Sequence, residues 1–189
     1  LLIAGNTCSI RCRFCFRRNS KLLMPSNLPI LLQEYLEKDS SIKEIIFSGG
    51  DPFMTPISVI EELIKKAIPA KAVRTIRFHT RVPITEPELA TTYLPLFEKY
   101  SERFHFVLVL HANHAQEISN ETTNLLKQFQ NANVLLLNQS TLLKGVNDSA
   151  ETLAELSHTL FENGVLPYYL HLLDKAQGTA HFEVNEQDA

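Results

Sequence analysis

Hydrophobic positions along the chain fall into two alternating patterns. Short apolar runs at Leu1 to Ala4, Glu44 to Phe47, Val73 to Phe78, Phe104 to Leu110, Val134 to Leu137 and Leu166 to Leu170 read as strands. Between them, Leu28 to Leu36, Pro56 to Ala67, Glu86 to Lys99, Gln116 to Gln130 and Ala150 to Asn163 carry apolar residues at helical spacing, and the Asn163-Gly164 pair stops the last of these.

Such strict alternation predicts parallel strands joined by right-handed helical crossovers. Strands that are mostly unbroken apolar runs suit a sheet with helices on one face and filling side chains on the other. The expected fold class is α/β, a partial (β/α)6 TIM-like barrel with six units rather than eight. Residues 1–189 show no repeat, low-complexity tract or linker and read as one domain.

Reactive groups of such barrels gather at the carboxyl ends of the strands. The polar residues here obey that rule. Cys8 follows the first strand, Ser48-Gly49-Gly50-Asp51 the second, His79 and Arg81 the third and His111-Ala112-Asn113-His114 the fourth. Asn138-Gln139-Ser140 follows the fifth, and His171 with Asp174 the sixth.

Composition changes this picture little. A hydrophobic content of 44% with 21% charge fits a globular domain with a sizeable core. A net charge of −3 gives no broad basic field for nucleic acid, although Arg11, Arg13, Arg17 and Arg18 form a local patch suited to an anionic cluster, a carboxylate or a phosphate, or simply a solvated loop. No stretch reaches the roughly 20 apolar residues of a membrane helix, and no signal peptide opens the chain, so a cytoplasmic location without membrane contact is expected. The Leu1 start, and an acidic helix start over 185–189, read as a fragment.

The chain has three cysteines, Cys8, Cys12 and Cys15, spaced C-x3-C-x2-C. Three thiolates leave one iron of a [4Fe-4S] cubane open, and S-adenosyl-L-methionine can chelate that iron. A zinc site is the alternative, with His79, His111 or His114 as a fourth ligand, but closed zinc sites favour paired spacings. An odd number of cysteines argues against a disulfide. Gly49 and Gly50, directly after a strand, let backbone approach a ligand such as an ammonium group, although Gly-Gly-Asp-Pro is also an ordinary turn sequence.

Cys8-x3-Cys12-x2-Cys15 with Phe14, followed one strand later by Gly49-Gly50-Asp51, resembles the radical S-adenosylmethionine superfamily. Cys15-Phe16-Arg17-Arg18, Phe47-Ser48-Gly49-Gly50-Asp51-Pro52, the run from Asn138 to Asp148 and Pro167-Tyr168-Tyr169-Leu170-His171 are similar to lysine 2,3-aminomutases. The segment from Leu172 to Phe182 is most similar to the EpmB branch, which serves the modification of elongation factor P. The resemblance implies an isomerase that combines S-adenosylmethionine radical chemistry with pyridoxal 5′-phosphate to convert L-lysine to (R)-β-lysine. It also implies an electron donor such as flavodoxin or ferredoxin, a separate ligase as the indirect link to elongation factor P, and a possible homo-oligomer.

Carried over by position, Cys8, Cys12 and Cys15 would hold the cluster. Gly49, Gly50, Asp51 and His111 would contact S-adenosylmethionine, Phe14 its adenine, and Gln139 the pyridoxal cofactor. Arg17 would pair with the lysine carboxylate, a task for a bidentate donor. Asp174 would hold the distal ammonium and would repel the side chain of glutamate. The family's aldimine lysine, its second acid and its phosphate-binding arginines have no counterpart in this sequence, and Lys144 and Lys175 lie outside the corresponding motif.

Overall fold

The computed structural model of the chain describes residues 1–18, 24–185 and 187. Six strands, β1 (Leu2–Gly5), β2 (Glu44–Gly49), β3 (Thr75–Thr80), β4 (His105–His111), β5 (Leu135–Thr141) and β6 (Leu166–His171), form one sheet in sequential order. Every neighbouring pair is parallel. A doubly wound sheet would reverse its order at a switch point. This one does not, and it is the partial (β/α)6 barrel that the alternating pattern predicts.

Among the described residues seven α-helices accompany the strands: α1 (Leu28–Lys38), α2 (Ile57–Ala67), α3 (Val82–Thr85), α4 (Pro87–Thr91), α5 (Leu94–Tyr100), α6 (Asn120–Asn131) and α7 (Ala150–Glu162). The helix expected over 86–99 is broken into α4 and α5. Pro87 and Pro95 each stand in a first helical turn, where a missing N–H costs nothing, and each forbids continuation of a helix from before it. The helix expected from Gln116 begins only at Asn120. Ser119 is its N-cap, accepting from the Thr122 amide at 3.1 Å. Ser149 caps α7 in the same way, through the Thr152 amide at 3.2 Å. Of the expected acidic helix start at the end of the chain, Glu186, Asp188 and Ala189 lie outside the described residues.

Alternation along each strand separates two faces. Ile45, Phe47, Ile76, Phe78, Phe106, Leu108, Leu110 and Leu136 join the main core with Leu32, Ile60, Leu63, Leu126, Phe129 and Leu160 of the helices. The opposite face carries a small cluster of Val107, Val109 and Leu137. Arg77 and His79 stand in register with Val107 and Val109 on that face, and His111 with Gln139. Arg77 pairs with Glu44 at 2.8 Å and lies 5.7 Å from the ring centre of Tyr168 on β6. β6 pairs with β5 alone and is exposed along its length.

Most strands run further toward their carboxyl ends than the apolar runs do. Ser48, His79, His111, Gln139 and His171 are therefore strand residues rather than loop residues. Gly164 ends α7 at φ +66, with the Val165 amide reaching back to the Leu160 carbonyl at 2.9 Å. A Cβ on Gly164 would collide with Gln130, whose Nε2 donates to the Asn163 carbonyl at 2.7 Å. Gly164→Ala should cost about 1–3 kcal/mol through left-handed backbone strain and that displaced bond. Urea unfolding should show a lower midpoint with an unchanged m-value, and an unchanged midpoint would contradict it.

Candidate functional site

The segment after β1 carries the thiols. Gly5 and Thr7 accept from the amides of Gly50 and Asp51 at 2.9 and 2.7 Å, so the backbone on the way to Cys8 is tied to the glycine loop after β2. Glycine is required there. Gly49 has φ +124, and a Cβ on Gly50 would lie 2.5 Å from the Thr7 carbonyl oxygen. The amides of Gly50 and Asp51 are thus spent on this pairing.

Asp51 is 6% exposed, and its carboxylate faces inward. Oδ1 accepts from Thr80 Oγ1 at 2.7 Å and the Phe53 amide at 3.0 Å, and Oδ2 from the Arg81 amide at 2.7 Å. Burial pushes its carboxyl above the usual range, and those donors pull the other way. Phe53 stacks on Tyr93 at 3.8 Å, and the Tyr93 hydroxyl donates to the carbonyls of Pro52 and Thr55. The glycine loop is clamped from behind by aromatic core.

Cys8, Cys12 and Cys15 are all free, with Cys8 exposed and the other two half-buried. Burial, then the charges of Asp51 and the other two cysteines, pushes the Cys8 thiol up to about 11. Burial also raises Cys12, against the opposing charge of Arg81. The Arg81 guanidinium donates to Cys12 Sγ at 3.4 Å, pairs with Glu117 at 2.5 Å and lies 5.7 Å from the Phe14 ring centre. His111 also approaches Phe14, with ring centres 5.4 Å apart.

His79 and His111 each bury an Nε2 that has no hydrogen-bond partner. Burial, followed by the positive charge of Arg77 for His79 and of Arg81 for His111, lowers them to about 4 and about 3. Both rings are neutral at physiological pH. Arg17 reaches from the thiol loop to the glycine loop, donating to Ser48 Oγ at 3.2 Å and the Gly49 carbonyl at 2.8 Å, with Phe16 beneath its guanidinium at 4.9 Å. Gln139 stands beside His111 and Tyr169 in register. Asp174 is exposed, and its backbone carbonyl accepts from Thr179 at 3.4 Å. Lys144 and Lys175 are exposed.

The sequence places Arg81, Asn113 and Asn138 at the mouth without giving them a role, and Glu117 and the amide network behind them go unmarked. The Asn113 amide donates to Glu117 Oε1, Asn138 brackets Ala112, and Asn147 ties Leu143, Asn113 and Thr141 together. Their one signal is position, since each follows or ends a strand at the same mouth.

The chemistry of the donors fits an iron-sulfur cluster. Among the described residues no three His, Cys, Asp or Glu side chains converge as they would around a single ion. A cubane spreads its three thiolates over three irons and does not ask for such convergence. Beside the thiols, the orphaned His111 Nε2 is a buried polar atom in want of a ligand atom.

A sequential parallel barrel of the radical S-adenosylmethionine type that delivers three free thiols to its mouth suits an iron-sulfur cluster. The comparisons agree. Residues 1–85 match the family model described as 4Fe-4S single cluster domain. The L-lysine 2,3-aminomutase of Haemophilus influenzae is 41% identical over 193 residues, covering 100% of this chain and 56% of that protein. That of Escherichia coli K12 is 38% identical with the same coverage, and that of Clostridium subterminale 31% identical over 96% of this chain and 44% of that protein. A solved structure described as native anSMEcpe with bound AdoMet and Kp18Cys peptide superposes with a TM-score of 0.73 at 13% identity, over 98% of this chain and 54% of that chain, a likeness of fold. The chain has family-level homology to the radical S-adenosylmethionine L-lysine 2,3-aminomutases. It spans about half the length of the curated relatives it matches, 56% of the first of them. No described helix is long and apolar enough to cross a membrane.

A buried imidazole held at about 3 binds fewer protons folded than unfolded at any pH between there and 6.5. Its stabilising contribution is complete above 6.5 and is lost as pH falls toward 3. His111→Asn should therefore flatten the acid side of the stability profile, by at most about 1.4 kcal/mol per pH unit. Unfolding of the metal-free protein at a series of pH values tests this, and parallel profiles for the two proteins would contradict it.

Proposed function

We propose that the protein carrying this chain is an L-lysine 2,3-aminomutase that uses a [4Fe-4S] cluster, S-adenosyl-L-methionine and pyridoxal 5′-phosphate, with residues 1–189 as its radical core domain. The observation that carries this reading is the meeting, at one barrel mouth, of three free thiols with an arginine that reaches from their loop onto the glycine loop. When bound, the cluster supplies the electron that cleaves the sulfonium of S-adenosylmethionine and so starts hydrogen abstraction.

The chain's own residues bind and orient. Cys8, Cys12 and Cys15 hold the cluster. Phe14, near both Arg81 and His111, offers an apolar ring to an adenine. The neutral His111 offers Nε2 to S-adenosylmethionine without adding positive charge beside the sulfonium. Gly49 and Gly50 shape the loop that meets its amino group, and Asp51 keeps that loop in place from within the fold.

Arg17 takes the lysine carboxylate, for which a planar fork is suited. Asp174 takes the distal ammonium and discriminates against acidic side chains. Gln139 borders the pyridoxal cofactor, whose covalent lysine is not among this chain's motifs. The product is (R)-β-lysine for a separate ligase acting on elongation factor P, the electron donor is a flavodoxin or ferredoxin, and the setting is the cytoplasm.

Two variants test the assignment in the full-length, iron-loaded protein. Cys12→Ala should abolish the visible cluster absorbance and 5′-deoxyadenosine formation together. Arg17→Lys should keep the absorbance and raise the KM for lysine at least tenfold, read by chiral chromatography of β-lysine. An unchanged KM would remove Arg17 from the substrate site. Formation of 5′-deoxyadenosine without β-lysine in the unaltered protein would leave a radical enzyme of another substrate class.

A further inference from the structure

We propose that the Arg81–Glu117 pair sets the reduction potential of the cluster, Arg81 by an N–H···S bond to Cys12 and Glu117 by offsetting its charge. The inference rests on the reading that Cys8, Cys12 and Cys15 hold a [4Fe-4S] cluster.

Arg81 is placed with unusual care for a side chain that follows a strand. Its amide is fixed by Asp51 Oδ2 at 2.7 Å, and its guanidinium is spread between Cys12 Sγ at 3.4 Å and Glu117 Oε2 at 2.5 Å. Both side chains of the pair are largely buried, at 16% and 22% exposure, so solvent screens them poorly. Glu117 is itself aimed, since its second oxygen accepts the Asn113 amide at 2.9 Å. Arg81 Nε is buried without an acceptor, which leaves a donor for a sulfur or other anion in the mouth.

Hydrogen bonds to cluster sulfurs and nearby positive charge favour the reduced, more negative state and raise its potential. A lone buried arginine at Cys12 would supply both effects. With Glu117 on its other edge, the fork keeps its directional N–H···S bond while the pair contributes little net charge. Cleavage of a sulfonium needs a strongly reducing cluster, so holding the thiolate without electrostatically taming the cluster is a coherent use of the acid. Lysine in place of Arg81 has one ammonium to share between sulfur and carboxylate and cannot hold both as a fork does.

The sign pattern distinguishes this from a merely structural tie. In the full-length reconstituted protein, the cluster potential is read by spectroelectrochemical titration with EPR of the reduced state, and iron content is measured on each sample. Glu117→Gln should shift the potential upward, because the arginine charge is no longer offset. Arg81→Gln should shift it downward, because the N–H···S bond is lost and the acid is left unbalanced. The double variant should fall between the single ones, with non-additive shifts.

Shifts of the same sign, or none, at unchanged iron content would overturn the proposal. If Arg81→Gln takes up no iron, the upward shift of Glu117→Gln carries the test, and a downward shift or none at unchanged iron content overturns the proposal. If the unaltered protein itself yields no [4Fe-4S] EPR signal, the cluster assignment fails, and that outcome is separate from a failure of the pair to tune it.

Discussion

The inward carboxylate of Asp51 ties the rest of the mouth together. A buried carboxylate costs several kcal/mol unless its lone pairs are met. Here they are met by donors from two successive strand ends, the Phe53 amide after β2 and the Thr80 hydroxyl and Arg81 amide at the end of β3. The glycine loop and the start of α3 are thereby fixed to each other before any ligand arrives. Because the Arg81 amide is held, its side chain has a fixed origin from which to span Cys12 and Glu117.

From Glu117 the constraint runs on without a gap. Asn113 takes the second carboxylate oxygen and itself accepts from the Thr141 amide at 2.8 Å, and Asn147 joins both loops through two carbonyls. These are side-chain amides at 0–2% exposure, each answering backbone groups that an irregular loop would otherwise bury unpaired. A polar network of this kind rigidifies what it satisfies. The mouth from β1 to β5 is therefore preorganised, while β6 and Asp174 stand exposed beside it.

The architecture is legible in the sequence because period alone separates strands from helices. The run Phe104 to Leu110 and the helical spacing of Ala150 to Asn163 leave little choice, and their order dictates the topology. Boundaries are less legible for a physical reason. His79, His111 and Gln139 are polar yet paired as strand residues, half-buried on the face opposite the main core. Proline divides the 86–99 helix, an effect that hydrophobic period does not register. The thiols and glycines announce themselves by spacing. Arg81, Glu117 and the asparagines do not, because the bonds that carry them across the mouth span 26 to 69 positions and only the folded sheet brings these partners together.

The electrostatics of the mouth follow from which groups can change charge. Arginine guanidiniums keep theirs at any physiological pH. The two buried imidazoles next to Arg77 and Arg81 cannot take a proton there, because burial and those arginines hold them to about 4 and about 3. Burial and the negative charges around it push the Cys8 thiol up to about 11, and burial raises Cys12 as well. A cluster must displace thiol protons to gain its ligands. In the proposed enzyme, loading would exchange thiol protons for iron at a site whose other charges stay fixed, and the field meeting a cationic sulfonium would depend on the cluster, on the nearby arginines and on how far Glu117 offsets Arg81.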